Sequence, residues 1–522
     1  MTFQTTAIPI VTGNPEHKPA AFTRFVLPFA WKRALLQTEL DGDAPHFVED
    51  AFDARRLAAR SRYFSPETSL VLFSRARWLR VKNWPDDGRY RSICVDDRPL
   101  GLRIAPPRAV LFEEADPDTP EELSTGFLLI DVSFTTEATL DDLLAVNELF
   151  RYWREPFEGH RERLRSSPGG SFSHNELALL LDGSSGAPYF GGWQSILGLP
   201  VNDEKGPWQF VDSGQRDEAQ AWIDDPTVPA AGWICYTDDR AFVYSCALTP
   251  RGSTDLGRDG DAPQESGEWV RLVNVDFPET AAATPFEHKW AADRTYDRWK
   301  HYGTLYGFSS HSAVMIGAPC QEPPTWRHFA DMYFDQVLLL LYLRVTTFRF
   351  SGKLSRISSK LASGRRDAEA ARQPFAALRQ AFAFFTNLYR FPLLSSQQQG
   401  IEMYAAAREA LDVDELFEEV QKEIESTHEF FELTAAAEQQ SAANWLGWIA
   451  TIAASAGIAL TFLGLDIGQE TADLLQRSIG GWWPTEWRPD ARWWLAGGGT
   501  IALTGLSRSL WKWRTNRSRL LD

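Results

Sequence analysis

The stretch SAANWLGWIATIAASAGIALTFLGL, residues 441–465, contains no charged side chain, and its reading decides the fold. At 1.5 Å per residue its 25 residues rise about 37 Å as a helix, more than the roughly 30 Å hydrocarbon core of a bilayer. Small, β-branched and aromatic residues fill it, and Gly447, Gly457 and Gly464 are its only strong helix-weakening positions. The expectation is a membrane-spanning helix rather than a buried helix of a water-exposed fold.

Towards the C-terminus a second uncharged run, residues 493–507, lies between Arg492 and Arg508. It is short for a span, but long arginine side chains snorkel, which brings Ser509, Leu510 and Trp511 to membrane depth. Trp494 and Trp511 then mark both ends as an aromatic belt would, and Trp445 and Trp448 mark the start of the first run. The tail carries Arg508, Lys512, Arg514, Arg517 and Arg519, against Arg477, Arg488 and Arg492 in the connecting loop. That excess places the C-terminus in the cytoplasm, and two spans return the N-terminus there as well. The N-terminus shows no basic–apolar–cleavage pattern. The expected address is a bacterial inner (plasma) membrane, crossed twice, with both termini cytoplasmic and lipid as a partner.

Towards the N-terminus, Val413, Phe417, Val420, Ile424, Thr427, Phe431 and Thr434 recur at alternating four- and three-residue steps. This is a heptad seam, the mark of a long stalk helix that needs partners. Between Asp412 and Glu438 stand ten acidic residues against Lys422 alone. Glu415, Glu418, Glu419 and Glu425 are the candidates for an acidic funnel that concentrates cations; the competing reading is a solvated helix face. Within the first run, Asn444, Trp448, Thr451 and Ser455 share one face at steps of four, three and four, and are the candidate pore lining. A local bond from each hydroxyl to the preceding turn is the alternative for Thr451 and Ser455.

The remainder of the 522-residue chain reads as an α/β or α+β head over residues 1–325, then a helical region and stalk over 326–440, then the two-helix transmembrane hairpin over 441–522. Strand-like runs are expected at 69–73, 105–112, 126–134, 233–236, 241–248, 269–277 and 306–316, with a helix over 140–153. Residues 335–350 contain the run 337–343, apolar but closed off by Asp335 and Arg344 and so too short to span, which predicts a buried helix of the head. A net charge of −17 argues against a nucleic-acid polymer as partner. Cys94, Cys235, Cys246 and Cys320 show no metal spacing and no disulfide framework.

A head, a long stalk helix running into a first span, a second span and a basic tail together resemble the CorA-type divalent metal channels. That resemblance covers residues 326–522 and implies a homo-oligomer, in that family a pentamer, that passes Mg²⁺ or other divalent cations. The family's Gly-Met-Asn signature is absent; Leu463-Gly464-Leu465-Asp466-Ile467 stands in its place. Gly464 and Asp466 are therefore the candidate outer mouth, with Asp466 the candidate metal contact. Divergent relatives of this type lacking the motif imply a second reading, a ligand-gated pore of a bacterial antiviral defence system whose head senses a nucleotide-type signal. A non-conducting, membrane-anchored head is the third.

No phosphate-binding glycine loop, metalloprotease or hydrolase motif is present, so no catalytic residues are assigned, an enzyme is not expected, and no cofactor is expected beyond a transported or gating cation. Arg151, Arg154, Arg161, Arg163 and Arg165 crowd the end of the helix expected at 140–153 and form a candidate site for an anionic ligand such as a small nucleotide. A solvated basic helix end is the plainer reading of the same group.

Overall fold

The computed structural model describes residues 7–464 apart from 33–46, 113–122, 152–163, 167–239 and gaps of four residues or fewer. The chain divides into two compact units, Met1–Ile424 and Glu425–Asp522.

The first unit is built on a mixed sheet of twelve strands. The strands in chain order are β1 (Pro9–Ile10), β2 (Phe22–Lys32), β3 (Phe47–Glu49), β4 (Arg77–Val81), β5 (Arg89–Val95), β6 (Arg98–Ile104) and β7 (Arg108–Leu111). They continue as β8 (Leu123–Phe134), β9 (Ala138–Thr139), β10 (Leu164–Ser166), β11 (Phe242–Leu248), β12 (Thr295–Tyr296), β13 (Leu305–Phe308) and β14 (Ser312–Gly317). The main order is β10-β5-β6-β8-β2-β11-β14-β13-β12, with β7, β4 and β3 branching from β8, while β1 pairs with β9 separately. β2 and β8 form its spine, antiparallel from Phe22 opposite Ser133 to Lys32 opposite Leu123.

Proline explains the branch. β6 and β7 both pair with β8, Ile104 facing Val132 and Arg108 facing Leu129, and the Ala105 amide donates to Asp131 O. Pro106 and Pro107 lie between them and have no amide to donate, so one strand becomes two at that point. β11 and β14 run parallel, the one such pair among the described strands, and helices cross over between them.

The helices are α1 (Ala54–Tyr63), α2 (Pro66–Leu70), α3 (Leu140–Phe150), α4 (Gly267–Asn274), α5 (Pro285–Asp293), α6 (Thr325–His328), α7 (Phe334–Ser363), α8 (Arg365–Tyr389), α9 (Gln398–Ala410) and α10 (Val413–Gly464). α3 and α5 open with reciprocal capping boxes, Thr139 with Asp142 and Thr284 with Glu287. α3 packs Leu140, Leu143, Leu144 and Val146 into the core with Phe25, Leu128 and Ile130 of the sheet. Two π-helical turns, Val71–Arg75 and Phe329–Tyr333, join α2 to β4 and α6 to α7.

Several expectations hold and two fail. Strands stand at 126–134 and 241–248, a helix at 140–150, and residues 337–343 of α7 are all buried. The run at 306–316 is two strands joined by a turn. Residues 69–73 are helical, not a strand, and residues 269–274 belong to α4. There Ser266 caps the Trp269 amide, and Trp269, Leu272 and Val273 recur at helical rather than alternating spacing.

The membrane reading is corrected. Among the described residues no helix is long and apolar enough to cross a membrane. α10 is continuous to Gly464, but its described side chains end at Ser455. The two-helix transmembrane hairpin and the twice-crossed inner-membrane location with cytoplasmic termini are therefore withdrawn. The second run at 493–507, the connecting loop and the basic tail lie outside the described residues.

Candidate functional site

The long helix α10 bears most of the residues singled out by the sequence, and its two parts behave differently. In the first unit the seam is already covered. Val413, Phe417, Val420 and Ile424 are buried, and the Phe417 ring stacks on Phe382 of α8 at 5.2 Å. The Arg390 guanidinium lies 4.1 Å over the other partner of that stack, Phe417. Asp414, in the first turn of α10, accepts from Arg390 at 3.1 Å and from Arg408. Asp412 just before it has φ 51°, left-handed backbone that ends α9 and turns the chain. Glu415, Glu418 and Glu419 are exposed along the outer face, and burial followed by the neighbouring Glu419 pushes the Glu423 carboxyl up.

In the second unit the same helix shows apolar side chains to solvent. Phe430, Leu433, Trp445, Leu446, Ile449 and Ile452 are exposed, Leu433 by 71% and Trp445 by 66%. At 3.6 residues per turn, Phe430, Leu433, Trp445, Ile449 and Ile452 fall within about 160° of arc, while Glu425, Glu429 and Glu432 occupy about 60° on the opposite side. Glu438 falls within the apolar arc by position. His428 pairs with Glu432 at 3.1 Å, one turn on.

The candidate pore lining does not form one wetted face. Asn444 and Thr451 are exposed, Trp448 is half-buried and Ser455 is buried. The Thr451 hydroxyl donates to Gly447 O at 2.8 Å and the Ser455 hydroxyl to Thr451 O at 2.7 Å. Both are spent on the preceding turn. Gly464 is the last residue of α10, and Asp466 lies outside the described residues. Among the described residues no group of three or more His, Cys, Asp or Glu is placed to hold a metal ion.

The arginine cluster is likewise not assembled within the described residues. Arg151 follows α3 and is buried, its Nη2 lying 2.6 Å from Glu148 Oε2. Burial pushes the nearby Asp276 carboxyl up while Arg151 pulls it down. Arg165 lies in β10 opposite Cys94, and Arg154, Arg161 and Arg163 fall outside the described residues.

Sequence reading missed a buried ionic joint where α1, α7 and the sheet meet. Arg60 of α1 makes two bonds to Asp335 of α7, Nε to Oδ2 at 2.8 Å, and both side chains are buried. Arg24 of β2 donates to both oxygens of Asp131 at 2.5 and 2.8 Å, Arg108 adds a third bond at 2.9 Å, and the Arg24 guanidinium lies 4.0 Å over Phe334. Burial works against the Arg24 charge, yet Asp131 holds its pKa above the usual value, whereas burial pushes Asp335 up against the pull of Arg60. The π turn at Phe329–Tyr333 abuts this joint: Arg24 Nη1 donates to Ala330 O at 3.3 Å. Buried charges beside a π turn mark a candidate switching element. Its one visible signal was the acid at 335 leading into an apolar run.

No protein-family model, no curated protein and no solved structure matches this chain.

Proposed function

We propose that the protein is a non-enzymatic assembly module, in which copies of the chain associate through the apolar stripe of α10 and the twelve-stranded unit regulates that association. The observation that carries this reading is the exposed stripe from Phe430 to Ile452, backed by acids on the opposite face. Exposed apolar side chains grouped on one helix face, Phe430 with Leu433 and Trp445 with Ile449 and Ile452, mark an interaction site. A second copy suits it because parallel helices can meet along the stripe while their acidic faces point outward. A lipid surface suits it less, since amphipathic helices that lie on membranes carry Lys and Arg on the polar face. Each copy adds the exposed Glu415, Glu418, Glu419 and Glu425 to the outer surface of the assembly, which raises the concentration of cations around it.

The test is the mass of the full chain in solution by light scattering and native mass spectrometry. A homo-oligomer is expected, and Leu433→Glu with Ile449→Glu shifts it to monomer. A monomeric wild-type chain at micromolar concentration, or an oligomer indifferent to both substitutions, overturns the reading.

A further inference from the structure

The carboxyl ends of the parallel strands β11 and β14 lie level, Leu248 facing Gly317, and two turns meet above them. The first follows β11. Its Thr249 amide donates to Gly317 O at 3.0 Å, and Gly252–Asp255 forms a 3₁₀ turn. The second is the 3₁₀ turn Lys300–Tyr302, which feeds β13 through Gly303. The two are clamped together. Ser253 donates its amide to Gly303 O at 2.7 Å, and a Cβ on Gly252, whose φ is +64°, would stand 2.2 Å from that same oxygen. Only glycine permits that approach.

The clamp sets an aromatic cluster beside a cationic loop. Trp299, His301 and Tyr302 touch one another, with ring centroids 4.0 to 6.2 Å apart, and Tyr302 is 47% exposed. Lys300 belongs to the same turn. Arg251, on the facing turn, has a side chain 73% exposed; its Nε is engaged by Asp255 at 2.7 Å, and the guanidinium carries four further N–H donors on its terminal nitrogens. Within the clamp the Ser253 hydroxyl is buried and has no hydrogen-bond partner among the described residues. A buried hydroxyl left so is costly and signals a group that completes the site.

We propose that this corner binds a small ligand consisting of a planar aromatic ring and an anionic group, with the ring against Tyr302 and Trp299 and the anion held by Arg251 and Lys300. Stacking supplies affinity for any planar base, and the two cations select a charged one. A nucleoside monophosphate is the simplest molecule with both parts. The inference stands on the head alone and does not rest on self-association through α10.

Titration of the full chain with AMP, UMP, adenosine and inorganic phosphate, followed by calorimetry and tryptophan fluorescence, tests it. Saturable binding of a monophosphate is expected, with adenosine and phosphate each weaker. Tyr302→Ala should weaken AMP about tenfold, and Tyr302→Phe should restore it. Arg251→Gln should bring AMP down to the level of adenosine. No saturable binding of either monophosphate at millimolar concentration overturns the proposal, as does AMP binding unchanged by both Tyr302→Ala and Arg251→Gln in chains whose circular dichroism is that of the wild type.

Discussion

Arg60 and Asp335 form a bidentate ion pair inside the protein, with the carboxylate fully enclosed where α7 begins. Such a pair is not in itself a large source of stability, because both ions lose their water. Removing one partner is different, since it leaves the other charge buried and alone. Arg60→Met or Asp335→Leu is expected to cost about 3–5 kcal/mol. The double variant should recover most of that loss, and denaturant unfolding of the three variants gives the comparison. Equal losses in single and double variants would refute the pair as the cause.

His328 supplies a pH dependence. Burial lowers its pKa below the ordinary value of 6.5, with Arg327 acting in the same direction and Asp331 opposing. The unfolded chain then binds a proton that the folded chain resists, so the stability is full above about 6.5 and is lost as pH falls through that value. His328→Gln should flatten the slope of unfolding free energy against pH between about 5 and 7. A slope unchanged by the substitution would assign it to other groups.

Asp412 occupies left-handed backbone and is exposed. Asp412→Gly should be neutral or stabilise by a few tenths of a kcal/mol, whereas Asp412→Val should cost about 1–2 kcal/mol. Thermal unfolding separates the two directions, and a tolerated valine would show that the turn re-forms elsewhere.

Neutralising Glu415, Glu418, Glu419 and Glu425 together to Gln should weaken divalent-cation binding to the assembled protein, measured by equilibrium dialysis with Mg²⁺ at low salt. The difference should shrink with added salt, because exposed charges are screened beyond about 8 Å at physiological ionic strength. Identical binding at low salt would leave these residues as a solvated face.

What the sequence showed depended on how local the cause was. The heptad seam, the apolar helix with Asp335 at its start and the strand at 126–134 each follow from spacing within a few residues, and each stands in the structure. α4 was misread because Trp269, Val270 and Val273 are β-favouring residues, while the deciding signal was the single hydroxyl of Ser266. The ionic joint draws on positions 24, 60, 108, 131 and 335, and the aromatic corner on 251–255 and 299–303. Such sites exist only once the strands have paired. Asp335 announced a charge to be compensated, but nothing local announced Arg60.

α10 crosses the boundary between the two units at Ile424 and Glu425 without a break. One helix thus answers to two kinds of selection. Before the boundary, Phe417 and Val420 answer to folding, so damage there should lower the amount of protein and be rescued by cooling. Beyond it, Leu433 and Ile449 are exposed, so damaged copies should accumulate normally and interfere with intact ones only where copies meet. A genetic screen that scores abundance and dominance separately would therefore cut a continuous helix into a recessive half and a dominant half.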